Sequence, residues 1–138
     1  LTDPAGRRAT ARAQLAAFDL PGACRTASEA GLREVFWEKL LAFCRAVAGQ
    51  RDAAALAAQT LMDQGVEDPL YFTLMESLTL DLAPEVGGLT AEGPLHYAML
   101  RQAGAPVPDR PVAVAAIRPR AGHRLLLPRL WRIATQRP

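Results

Sequence analysis

Histidine, cysteine and lysine are scarce in this chain of 138 residues, and each shortage excludes something. The two histidines, His96 and His123, and the two cysteines, Cys24 and Cys44, fall at none of the spacings that bind zinc. No metal and no other cofactor is therefore expected. GxSxG, Walker and GxGxxG signatures are missing, and Gly87-Gly88 is a loop pair without the flanking residues of a phosphate cradle. No apolar run approaches the roughly 20 residues of a membrane-spanning helix. No stretch sustains the alternation of a half-buried strand. Lysine occurs once, at Lys39, against fifteen arginines, and alanine is heavily used, a bias that fits a bacterial genome rich in G and C.

Acidic residues are missing from one part of the chain only. Residues 1–109 carry nine basic and all fourteen acidic side chains, a net of −5, whereas residues 110–138 carry seven arginines and no acid. Six of the eleven prolines also lie beyond residue 105. The overall charge of +2 thus averages an acidic body (1–109) and a basic, Pro/Arg-rich C-terminal segment (110–138). The chain opens on Leu1 and is expected to be a segment of a longer reading frame, so a targeting sequence could lie outside it.

What is present is helical periodicity. Asp3-Pro4 predicts a first helix to about Phe18, with Leu15 and Phe18 as anchors among small residues. A short second helix follows to Ala30 and stops at Gly31. A third, from about Leu32 to Ala48, carries two adjacent apolar stripes, Phe36-Leu40-Phe43-Val47 and Trp37-Leu41-Cys44-Ala48. Stripes that wide predict neighbours on two sides and a place at the centre of the core. A fourth, from about Asp52 to Gln64, presents Ala53, Leu56, Ala57, Thr60 and Leu61 on one face. Asp68-Pro69 opens a fifth helix, with Leu70, Leu74, Leu78 and Leu82 in register, and Pro94 opens a sixth ending at Gly104. A turn-rich stretch separates these two, and a last helix is predicted over about 124–136. The fold class expected is all-α, antiparallel αα-hairpins stacked as a short solenoid.

Trp37 and Tyr71 stand 34 residues apart, the period of tetratricopeptide repeats. With Trp37-x-x-Leu40, a turn at Gly49–Asp52, Ala53 opening the next helix and a terminal Asp68-Pro69, residues 35–85 resemble that family. Leu41 stands where the family has Gly, and Cys44 where it has an aromatic residue. The run from Trp37 through Cys44, Ala48-Gly49 and Gly65 to Pro69 also resembles uncharacterised helical-repeat proteins of alphaproteobacteria, some labelled antifreeze glycopeptide polyprotein. That resemblance implies an exported or envelope-associated scaffold rather than an activity, and a Cys24–Cys44 bridge would favour the periplasm or another oxidising compartment.

The chemistry-bearing residues are few. Cys24 and Cys44 lie on neighbouring predicted helices, where an antiparallel register leaves open a disulfide or two buried thiols. No neighbouring histidine or CxxC spacing supports a catalytic thiol. His96 shares an apolar face with Met99, Leu100 and Ala103 and is expected to be buried and bonded to backbone, while His123 is expected in solvent. Glu34 and Glu38 lie on a solvated stripe, and Glu67 and Asp68 read as helix-start charges. In the tail, Arg124, Arg129, Trp131 and Arg132 interleave with Leu125, Leu126, Leu127 and Leu130. Three readings of the tail stay open: a capping helix, non-native sequence after about residue 117 from a frame slip, or a contact with a membrane surface or acidic partner.

These patterns point to a non-catalytic interaction or scaffold module that takes a protein or peptide partner. A peripheral membrane or nucleic-acid contact through the tail is the alternative, although the acidic body has no electrostatic reason to seek nucleic acid. An enzyme accessory domain with a cleft near His96 and Glu76 is a third.

Overall fold

Caps and glycines punctuate the chain where the helices begin and end. The computed structural model describes residues 4–31, 33–80 and 93–104. They form α1 (Pro4–Ala16), α2 (Leu20–Ala30), α3 (Val35–Val47), α4 (Arg51–Asp63), α5 (Pro69–Leu80) and α6 (Pro94–Gln102). Among the described residues there is no strand. The chain is all-α. The turn-rich stretch after α5, the predicted last helix and the whole basic segment lie outside the described residues.

The α1–α2 corner shows how local chemistry sets direction. Helix α1 stops at Ala16, two residues short of the expected Phe18, because Phe18 itself turns left-handed (φ 58°). Its amide and that of Asp19 donate to the carbonyls of Leu15 and Gln14, a terminal turn usually built on glycine. The Phe18 ring packs against the core with the Arg101 guanidinium 4.2 Å from its centroid, so side-chain contacts offset the backbone cost. Asp19 then caps α2 through a 3.0 Å bond from the Gly22 amide. A Cβ at Gly22 would stand 2.2 Å from the Asp19 carboxylate, so the cap and the glycine require each other. Gly31, at φ 62°, ends α2 as expected.

Packing decides which faces are buried. Helix α3 touches α2, α4, α5 and α6, as its wide apolar arc predicts, but of the two expected stripes only Trp37, Leu40 and Phe43 are buried, Ala48 is exposed, and Ala42 and Ala46 take places inside. Helix α5 is the more enclosed of the two, buried on all sides from Leu70 to Ser77. The central place expected for α3 is thus shared with α5, which packs against α3, α4 and α6. Its Ser77 and Thr79 hydroxyls return to the carbonyls of Thr73 (3.1 Å) and Met75 (2.8 Å), which satisfies them inside the helix.

The buried face of α4 differs from the expected one. Ala54, Ala55, Ala58, Gln59 and Leu61 face inward, whereas Ala53 and Thr60 are exposed and Leu56 is 45% exposed. An alanine-rich helix has little contrast between its faces, so its neighbours choose. Helix α4 lies between α3 and α5, both of which bring large side chains, and an alanine face admits close approach where Leu56 would not. Finally, α6 packs on α1 as well as on α5 and α3, which brings the first and last described helices together.

Candidate functional site

Two features combine chemistry with position: a polar cluster on Asp68 and a groove between α2 and α3. Asp68 precedes Pro69, whose missing N–H costs nothing at a helix start. Its Oδ1 accepts from the Tyr71 amide at 3.2 Å and so caps α5. Its Oδ2 accepts from Lys39 Nζ of α3 and faces His96 Nε2 of α6 at 3.1 Å, a contact that needs the proton on Nε2. Tyr71 donates its hydroxyl to the Lys39 carbonyl at 2.9 Å, and the Lys39 ammonium lies 5.1 Å from the Tyr71 ring centroid. One carboxylate therefore joins three helices.

The electrostatics follow from that arrangement. Burial pushes the Asp68 carboxyl up, but the hydrogen bond and charge of His96, then those of Lys39, outweigh it and lower the pKa from 3.8 to about 2. Burial, reinforced by the Asp68 charge, raises the Tyr71 hydroxyl well above 10.0, so it stays a neutral donor. His96 is buried at 8% exposure, as expected, but its partner is a carboxylate instead of backbone. The i,i+4 logic of a single helix could not reveal this, because the two residues come from different helices. Lys39 joins the cluster from a third helix, and its solitary status is the one sequence signal that marks it.

The groove runs along the α2–α3 seam. Leu20, Pro21 and Cys24 of α2 and Leu41, Cys44 and Val47 of α3 form its apolar walls, with Ser28, Arg45, Ala48 and Gln50 completing a volume of about 460 Å³. Arg45 is its one charged lining residue among the described residues. Cys24 and Cys44 are joined by a disulfide, with Cα atoms 5.8 Å apart, and both are half-buried. The bridge closes a separation of 20 residues. In chain-entropy terms this is worth about 3 kcal/mol. A Cys24→Ala/Cys44→Ala double variant is expected to lose about that much stability in urea unfolding; an unchanged midpoint would show that the bridge adds nothing.

The remaining candidates are quickly placed. Glu34 is exposed and pairs with Arg8 of α1, and Glu67 is exposed beside the α5 start. Glu76 is 2% exposed within α5, not open to a cleft. His123, Arg124, Arg129, Trp131 and Arg132 lie outside the described residues. Among the described residues no group of three or more His, Cys, Asp or Glu could hold a metal ion, and no helix is long and apolar enough to cross a membrane. Compared with protein families, curated proteins and solved structures, the chain finds no match. The tetratricopeptide and alphaproteobacterial resemblances therefore rest on the quoted residues alone.

Proposed function

We propose that this chain is a non-catalytic interaction module of helical-hairpin type whose α2–α3 groove takes an apolar peptide segment bearing an acidic side chain. The observation that carries this reading is the composition of the groove: apolar walls enclosing about 460 Å³, with Arg45 as the single charge among the described residues. An apolar segment would fill the walls, and a carboxylate beside Arg45 would set its register. Stacking of the hairpins as a short tetratricopeptide-like solenoid belongs to the same proposal, since such stacks offer grooves between successive helices. A disulfide persists in oxidising compartments, which supports a periplasmic or envelope location.

Asp68, His96 and Lys39 are read as structural on this view. Each carboxylate oxygen is already engaged, and the histidine is buried between helices instead of facing an open cleft.

A peptide display library tests the reading directly. Selection on the full oxidised chain is expected to enrich segments that combine Leu or Phe with Asp or Glu. Leu41→Asp should abolish their binding, and Arg45→Glu should weaken it roughly tenfold while favouring basic peptides in a second selection. Circular dichroism of both variants establishes that they fold. Selected peptides that bind the folded Leu41→Asp variant as well as the parent would overturn the assignment.

A further inference from the structure

We propose that the Cys24–Cys44 bridge is a redox staple that builds the groove, so that reduction frees α2 from α3 and removes the binding surface. The proposal rests on the docking reading for its consequence, but its structural core does not. Helix α2 reaches the hydrophobic core with little: Gly22, Ala23, Ala27 and Ala30 are its buried residues, and Leu20 at its start is half-buried. Its polar side-chain contacts run the other way, to α1. Thr26 donates to Gln14 at 2.7 Å, and Arg7 donates to the Glu29 carbonyl at 2.9 Å. Helix α2 is thus a capped helix with small buried side chains, tied to α1 by polar bonds and packing and to α3 by packing and one covalent link.

That link is open to attack. Cys24 and Cys44 are half-buried, and both line the groove, so a small thiolate can reach the sulfurs without unfolding the chain. A dithiol reductant attacks one sulfur, forms a mixed disulfide and expels the other as thiolate. Its second thiol then closes on the first, releasing the remaining cysteine. Two electrons and two protons pass to Cys24 and Cys44, and the reductant leaves as a cyclic disulfide. With the bridge gone, the α2 wall of the groove keeps its polar bonds to α1 but meets α3 through non-covalent packing alone.

Hydrogen–deuterium exchange on the full chain tests the staple. Dithiothreitol is expected to release two alkylatable thiols with the helical circular dichroism unchanged. Exchange across α2 should then exceed that across α4 and α5 by roughly tenfold or more, because those helices share only the global loss of stability. Re-oxidation should restore the original pattern, and a Cys24→Ser/Cys44→Ser variant should reproduce the reduced one. A bridge that opens only on global unfolding, or an α2 that exchanges equally in both states, would overturn the proposal. None of these readouts uses a peptide, so an oxidised chain that binds no library peptide defeats the docking reading alone. Selected peptides that bind oxidised and reduced chains equally defeat the staple's control of the groove and leave docking intact.

Discussion

Replacing Asp68 with alanine is expected to destabilise the fold by about 3 kcal/mol or more, measured as a fall in the urea midpoint at neutral pH. Three losses combine. The α5 N-terminus loses its cap, a change worth about 1 kcal/mol by itself. Lys39, whose side chain is 18% exposed, loses its anion in a setting where an unpartnered charge is costly, and His96, 10% exposed, loses its hydrogen-bond acceptor. Asp68→Asn keeps an acceptor for the Tyr71 amide and should recover part of the first loss but little of the others. A Lys39→Met partner in a double-mutant cycle would isolate the ion-pair contribution.

The same carboxylate makes stability depend on acidity. Its pKa is lowered on folding, from 3.8 to about 2, so between those values the unfolded chain binds the proton more readily. The contribution is therefore complete well above pH 4 and is lost as pH falls toward 2. It amounts to about 2 kcal/mol. Unfolding curves should show the parent losing that much between pH 5 and 2, on the order of one titrating group, while Asp68→Asn lacks this component. A variant with the same acid dependence as the parent would place the titrating group elsewhere.

Trp37→Ala is the other large effect expected. The indole is fully buried at the heart of α3, packed edge-on to Phe36 with centroids 4.9 Å apart. Truncation leaves a cavity the volume of most of an indole, which the close-packed core can refill only in part. The cost should fall at about 3–5 kcal/mol. Set against the 5–15 kcal/mol typical of a whole domain, that leaves a marginal fold at best. Loss of cooperative thermal unfolding would be the sign, and a melting temperature within a few degrees of the parent would contradict the placement of Trp37 as the main anchor.

Much of this was legible in the residues themselves. Helix starts at Asp68-Pro69 and Pro94, and stops at Gly31, Gly49 and Gly65, follow from backbone chemistry acting within a few positions, so short-range reading finds them. The wide apolar arc of α3 was equally plain, because aromatic and leucine side chains contrast sharply with Glu38 and Arg45. Alanine-rich α4 shows the limit. With little contrast around the helix, its orientation depends on the bulk of its neighbours, and Leu56 ends up outside.

The two sites differ in the same way. The cysteines were legible as a pair, since they are alone in the chain, but whether they meet depends on the crossing of α2 over α3 within one helical turn. Lys39, Asp68 and His96 carry no pattern of spacing, because the distances that unite them run across three helices and not along one. The acidic charge of the body, the helical class of the described residues and the order of the helices were thus determined by the sequence alone, through forces that act locally. Which faces touch, which carboxylate is buried and where a groove opens were decided only by tertiary packing, because each depends on the simultaneous fit of several helices.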